Sequence, residues 1–218
     1  MKLTELKLTP GKLLPFKSLQ KIVDHLHLGG ILILPTDTGY LLGVDALNIS
    51  AVNHIFSVKK RPRTNPIHIA VCSIEMAMQY VNIGSNDLLL YKNFLPGPLT
   101  IVSPKKINIP DILVANKHTL GVRIPDSPIV QQVIHSFGKP ITATSANISG
   151  RQSLSIDQEL AELNFGEEEQ IYLVKDDKMI YEKASTVVSC ATMPPKIIRE
   201  GPIKAKDILN ILKITSNL

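Results

Sequence analysis

Ser127-Pro128 followed by Ile129, Val130, Val133, Ile134 and Phe137, with Gly138 as the stop, specifies a helix whose start, buried stripe and end are all set by residue type. A serine at the N-cap accepts from the orphan N–H groups of the first turn, and a proline at the first helical position has no donor to lose. A glycine takes the left-handed conformation that closes the last turn. Pro140 to Thr144 follows at once as a short apolar run that reads as a buried strand, ending in Ser145-Ala146-Asn147. A one-sided helix leading directly into a buried strand needs a sheet to lie on, which points to packed α and β layers.

The same unit recurs along the chain. Leu19, Ile22, Val23 and Leu26 follow helical spacing up to a Gly29-Gly30 stop, and Ile31 to Leu34 then forms an apolar strand ending at Pro35. A second helix runs from about Ser50 to Lys59, with Val52, Ile55 and Phe56 inward, before a strand at Ile67 to Cys72. A helix from Asp87 to Leu95 breaks at Pro96-Gly97-Pro98, and strands follow at Leu99 to Ser103 and Thr119 to Ile124. The capping box Ser155-x-x-Gln158 starts a helix toward Leu163. Strands at Gln170 to Val174, Ser185 to Cys190 and Lys196 to Arg199 precede a last helix at Lys204 to Lys213. With no repeat, low-complexity tract or linker, residues 1–218 read as one α/β (α+β) domain: a twisted mixed sheet flanked by helices.

Composition narrows the class. A compact chain of 218 residues buries roughly 70 to 75% of its unfolded surface. Its 44% hydrophobic and 20% charged content is that of a soluble globular protein. The net charge of +5 permits a nucleotide or nucleic-acid partner without demanding one. Cys72 and Cys190 lie in apolar strand-like runs without Cys-x-x-Cys spacing, which suggests buried free thiols in a reducing compartment. The first residues lack a signal peptide's apolar stretch, and no run approaches the ~18 residues of a membrane span. The expectation is a cytoplasmic protein.

The most charged segment is Lys59-Lys60-Arg61-Pro62-Arg63-Thr64-Asn65-Pro66, with four cations in five positions braced by two prolines. It suits an anionic guest, or else is a solvated loop at the negative end of a helix dipole. Phosphate-loop, dinucleotide, zinc-protease and nucleophile-elbow motifs are all absent, and the six histidines are scattered. Two polar segments sit at strand ends. Pro35 to Gly43 offers Thr36, Asp37, Thr38 and Tyr40, either as a binding surface or as a turn with a packed tyrosine. Thr144 to Gly150 offers three hydroxyls, an amide and free N–H groups, suited to phosphate or carboxylate oxygens or to an Asx-turn. Arg123, alone in an apolar strand, and Arg199 each need a carboxylate partner, from protein or ligand, unless they lie at an exposed edge.

Taken together, these segments resemble the YrdC-domain family, the L-threonylcarbamoyladenylate synthases of tRNA threonylcarbamoyladenosine biosynthesis. The resemblance covers about residues 16 to 213. It rests on Pro-Thr-Asp-Thr-x-Tyr at 35–40, Lys-x-Arg-Pro at 59–62 with Asn65-Pro66, Pro-Gly-Pro-Leu-Thr at 96–100 and Val-Arg-Ile-Pro at 122–125. Ser-Ala-Asn at 145–147, Ser185-Thr186-Val187 and Arg-x-Gly-Pro at 199–202 complete it. It implies that L-threonine and bicarbonate form a carbamate that attacks the α-phosphate of ATP and expels pyrophosphate, with Mg²⁺ accompanying the nucleotide. By residue-wise match, Lys59 and Arg61 would supply catalytic cations. Arg61, Asn65, Thr119, Ser145, Asn147, Ser153 and Arg199 would contact ATP, while Thr38, Arg123, Ala143 through its backbone, and Ser185 would hold threonine. Lys60 and Arg63 would point outward. Downstream tRNA threonylcarbamoyl-transfer proteins would be the partners, with weak RNA binding possible and no membrane involved.

Ungapped counting puts Ala70 where many relatives carry a histidine, with His68 two residues earlier on the same strand face. The Gly39-Tyr40-Leu41-Leu42-Gly43 wording also matches a paralogous branch of less secure function, whereas Lys59 and Ser145-Ala146-Asn147 follow the synthases. The chain ends soon after Arg199-Glu200-Gly201-Pro202, so no further C-terminal domain is expected. Two other functions remain open: a non-catalytic RNA-binding or ribosome-associated module, and a carbamoyl-transfer enzyme with another acceptor.

Overall fold

The structure is a computed structural model that describes residues 1–7, 12–149, 156–175, 181 and 183–213. The described strands are β1 (Lys2–Lys7), β2 (Ile31–Thr36), β3 (Gly39–Gly43), β4 (His68–Ala70), β5 (Leu99–Pro104), β6 (Thr119–Arg123), β7 (Ile141–Ser145), β8 (Gln170–Lys175), β9 (Thr186–Ser189) and β10 (Lys196–Arg199). The helices are α1 (Phe16–His27), α2 (Ile49–Val58), α3 (Ile74–Met78), α4 (Ser85–Phe94), α5 (Pro128–Phe137), α6 (Ile156–Glu162) and α7 (Ala205–Leu212). None of these helices is long and apolar enough to cross a membrane.

The strands form one mixed sheet in the order β1-β8-β2-β3-β7-β4-β6-β5-β9-β10. Parallel pairs are β1–β8, β2–β8, β4–β6 and β5–β9, and the others are antiparallel. β2 is buried at all six positions, as an unbroken Ile-Leu-Ile-Leu run requires of a strand covered on both faces. It continues through Pro35 to Thr36, two residues past its expected end. This is tolerated because β8 pairs only with Ile31 to Ile33, so Pro35 lies outside that ladder.

Strand alternation sends each face to a separate core. Ile33, Ile69, Ile101, Val122 and Val188 join α2 and α7 residues such as Val52, Ile55 and Ile208 in one cluster. Leu32, Leu34, Leu41, Ala70 and Ile141 face the other way, against Ile22 and Leu26 of α1 and Val130, Val133 and Ile134 of α5. Each fully buried Leu or Ile of this kind contributes about 1.5–3 kcal/mol. α5 is capped as its residues dictate: Ser127 Oγ accepts from Val130 N at 3.4 Å and Gly138 sits at φ 73°. The same hydroxyl donates to Pro35 O at 2.8 Å, tying the helix start to the end of β2.

The second core takes residues from β8, β2, β3, β7 and β4 and none from β6, β5 or β9. The apolar cover from α1 and α5 therefore stops at β4, and the candidate site lies on the same face where that cover ends, bordered by β3, β7, β4 and β6. Three elements escape the sequence reading. β1 is a half-exposed edge strand, β3 is framed by glycines that read as a turn, and α3 is a five-residue helix capped by Ser73 onto Met76 N at 3.2 Å. β4 is only three residues long, and Cys72 and Cys190 are free but half-buried rather than buried. Ser155, expected to cap α6, lies outside the described residues.

Candidate active site

Registers place the site. Ala70 pairs with Arg123 and His68 with Ala143, while Ile101 pairs with Val122 and Thr100 with Val187. Because side chains alternate, Ala143, Ser145, His68, Gly121, Arg123, Thr100 and Ser185 share one face. Most of these residues are small or polar, where the same face under α1 and α5 carries Leu and Ile. The result is a cavity of about 160 Å³ between β3, β7, β4, β6 and β5, also bordered by Thr38, Arg61, Ser185 and Arg199.

At one end lies Arg123, whose side chain is only 9% exposed. Its Nη2 pairs with Asp37 Oδ1, its Nε donates to Gly97 O at 3.0 Å and its Nη1 donates to Thr38 Oγ1 at 2.6 Å. The carboxylate an isolated strand arginine requires is therefore structural, and this end of the cavity is electrically balanced. Burial pushes Asp37 above its ordinary value of 3.8, with Arg123 opposing the shift. Its Oδ2 is buried and has no hydrogen-bond partner among the described residues.

Arg199 and Arg61 flank the other end. Arg199 donates from Nε and Nη2 to Ser185 O at 3.1 and 2.8 Å, and Ser185 Oγ lies 2.9 Å from Thr100 Oγ1. The 199–203 segment is clasped by Thr186, whose hydroxyl accepts from Gly201 N at 2.9 Å and Ile203 N at 3.1 Å and donates to Ile203 O at 2.8 Å. Arg61 donates to Asn65 O at 3.0 Å, Pro66 O at 2.7 Å and Ser149 Oγ at 3.4 Å, so the proline-braced loop orients its guanidinium through main-chain carbonyls. No carboxylate pairs with Arg61 or Arg199 among the described residues, so this end is positive.

His68 lies between these arginines. Burial, with Arg199 and Arg61 nearby, pulls its imidazole down to about 4, so it is neutral at pH 7. Gly121 makes room for the ring, since a Cβ there would stand 2.5 Å from His68 Cδ2. His68 therefore lines the cavity, and Ala70 packs into the core under α1 and α5.

The structure thus brings Thr38, Arg61, Arg123, Ala143, Ser145, Ser185 and Arg199 to one cavity. The remaining candidates stand elsewhere. Lys59 was expected to face the cavity, but its side chain is fully buried behind the wall, with Nζ donating to the carbonyls of Ser145 and Asn147. Burial, then Arg61, lowers its amine to about 7, while Glu159 opposes the shift. Asn147 is buried and accepts from Ser145 Oγ at 2.5 Å, so it shapes the turn rather than lining the cavity. Asn65 is exposed and acts through its carbonyl on Arg61. Thr119 shares the cavity's sheet face but lies opposite Pro104, at the other end of β6 from Arg123. Ser153 lies outside the described residues. Lys60 and Arg63 are exposed, Arg63 over the Phe56 ring at 4.9 Å. The sequence reading gave no role to Thr100 and did not identify Asp37 as the partner of Arg123, because both depend on strand register.

Comparison with known proteins places this architecture. The Sua5/YciO/YrdC family model, described as telomere recombination, matches residues 24–201. Threonylcarbamoyl-AMP synthase of Pyrococcus abyssi is 35% identical over 185 residues, covering 84% of this chain and 54% of that protein. The crystal structure of P. abyssi Sua5 complexed with L-threonine superposes with a TM-score of 0.86 at 30% identity, over 97% of this chain and 61% of that one. The chain therefore spans little more than half the length of that relative. A putative threonylcarbamoyl-AMP synthase of Methanocaldococcus jannaschii is 36% identical, covering 80% of this chain and 81% of that protein. The uncharacterized protein YciO of Escherichia coli is 26% identical over 88% of this chain and 92% of its own length. With the family model running from α1 to the glycine that follows β10, the chain belongs to the Sua5/YciO/YrdC family.

Proposed function

We propose that this protein is a threonylcarbamoyl-AMP synthase, converting L-threonine, bicarbonate and ATP to L-threonylcarbamoyl-AMP and pyrophosphate for modification of tRNA adenosine. The observation that carries the reading is the division of charge within one cavity. Arg61 and Arg199 have no carboxylate partner among the described residues, whereas Arg123 is balanced by Asp37. The unbalanced end suits polyphosphate. The balanced end, with the hydroxyl of Thr38, suits a zwitterionic hydroxy amino acid. Arg123 there offers its remaining N–H groups to the carboxylate without adding net charge.

In the adenylation step a carbamate oxygen bonds to the α-phosphorus as the bond from that phosphorus to the bridging oxygen breaks, and pyrophosphate leaves with the electron pair. Arg61 and Arg199 stabilise charge on the transferring and leaving groups. A carbamate is already an anion, so the step needs no general base, and neutral His68 serves as a hydrogen-bonding group. Among the described residues no three His, Cys, Asp or Glu side chains gather to hold a metal ion. Mg²⁺ would arrive on the nucleotide phosphates.

Purified protein with ATP, threonine, bicarbonate and Mg²⁺ is expected to release pyrophosphate and form an adenylated carbamate detectable by mass spectrometry when trapped before hydrolysis. No product under those conditions overturns the reading, and a preference for another amino acid in competition redirects it to a different acceptor. In the same reading the protein works in the cytoplasm ahead of tRNA threonylcarbamoyl-transfer proteins. The exposed pair Lys60 and Arg63 supports a second contact, to RNA, which would weaken steeply with salt.

A further inference from the structure

Among the described residues, Lys59 is the one buried cation near the site that the proposed chemistry does not use. It stands at the C-cap of α2, a helix held in register by the Asn48 cap and the buried Ile55 and Phe56. Its Nζ meets the carbonyl oxygens of Ser145 and Asn147, and its own carbonyl accepts from Ser149 N at 3.2 Å. One residue therefore grips the turn after β7 through both side chain and main chain. That turn needs the grip: register of β7 with β3 ends at Ser145, with one further bond from Ala146 N to Tyr40 O at 3.0 Å, and Asn147, whose carbonyl lies past that bond, is buried. Buried carbonyls must find donors. Those carbonyls point back to Lys59 while the Ser145 hydroxyl, 2.5 Å from Asn147 Oδ1, borders the cavity.

We propose that Lys59 is a positioning residue that fixes the Ser145–Asn147 turn by donating to its two carbonyls and does not touch the nucleotide. The inference rests on the synthase reading only for the identity of that nucleotide, since the clamp exists in the free protein. Donor counting supports it. An ammonium carries three N–H donors and a neutral amine two, so both carbonyls stay satisfied in either protonation state.

Lys59→Met keeps the length and removes the donors. In ligand-free protein, amide hydrogen exchange at Ala146 and Ser149 is expected to speed up at least tenfold while α5 amides are unchanged. Km for ATP should rise about tenfold and Km for threonine stay within about twofold. Unchanged exchange with weakened ATP binding means a direct phosphate contact and overturns the proposal. If Lys59→Met does not fold, wild-type protein labelled with ¹⁵N at lysine provides the test. The Lys59 Nζ protons should be protected from exchange and keep their shift on addition of ATP, and fast-exchanging protons or a large ATP-induced shift would overturn it. The exchange measurements in ligand-free protein stand or fall whether or not the protein proves to be a synthase.

Discussion

Replacing Asp37 by alanine should destabilise the protein by about 3–5 kcal/mol, the cost of stranding one member of a buried ion pair. No discount for solvent applies, because the Asp37 side chain is fully buried and that of Arg123 is 9% exposed. For a chain of this size that amounts to a fall in Tm of roughly 10 °C. Arg123 cannot escape by losing its proton, so the variant should show no pH dependence from this site, and its loss relative to wild type should shrink as pH rises through the raised folded value of Asp37. Arg123→Ala differs because the stranded group can take up a proton. Asp37 is already raised above 3.8 by burial, and removing Arg123 removes a force that lowers it. Where the folded value exceeds the unfolded one, the native state holds a proton that the unfolded chain releases. Stability of Arg123→Ala should therefore be greatest below about pH 4 and fall as pH rises through the raised folded value. Removing both residues strands no charge, so the double variant should be more stable than the sum of the single losses by about 2 kcal/mol or more. Urea titration of wild type, the two single variants and the double variant across that pH range measures each quantity. Losses that add within ~0.5 kcal/mol would refute the pairing argument.

Gly121→Ala puts a Cβ 2.5 Å from His68 Cδ2, so it should cost about 1–3 kcal/mol in denaturation and lower activity by displacing the imidazole. Gly201→Ala meets main chain instead, 2.2 Å from Ala184 O and 2.7 Å from Thr186 N. It should open the Thr186 clasp and weaken nucleotide affinity about tenfold in calorimetry through Arg199. His68, lowered to about 4 from 6.5, binds no proton in the native state across a window where the unfolded chain does. Stability should therefore fall with decreasing pH through that window by up to roughly 3 kcal/mol, and His68→Phe should abolish that component of the denaturation profile. Arg61→Ala and Arg199→Ala should each reduce ATP affinity at least about tenfold, with Lys60→Ala and Arg63→Ala within about twofold, measured by the same calorimetry.

Most of the fold was legible because its elements carry their own punctuation. Ser127, Pro128 and Gly138 delimit α5 almost to the residue, and the unbroken Ile-Leu-Ile-Leu run declares β2. β3 was not legible because the glycines at its ends signal a turn when read locally. In the sheet, Gly39 takes φ 110°, and Gly43 lies where a Cβ would stand 3.1 Å from Ile141 Cδ1. The cavity-lining arginines were visible as residue types out of place in their surroundings, but the partner of Arg123 was not. Asp37 reaches it across a separation of 86 positions, which only strand order can bring together. Lys59 was singled out for its charge, yet its placement depends on how deeply α2 sinks its last turn, which the sequence pattern does not set.

The cavity draws its wall from positions as far apart as Thr36 and Arg199, on strands scattered through the sheet order. No local segment of the chain holds half of the site, so ligand recognition reports on completion of the fold. A nascent chain lacking β10 would lack Arg199 and the 201–203 anchor for Thr186, and would fail in binding before it failed in secondary structure. The same geometry makes a bound ligand a brace across separate strands. Occupancy then stabilises the native state as a whole, by an amount that grows with the logarithm of ligand concentration over Kd.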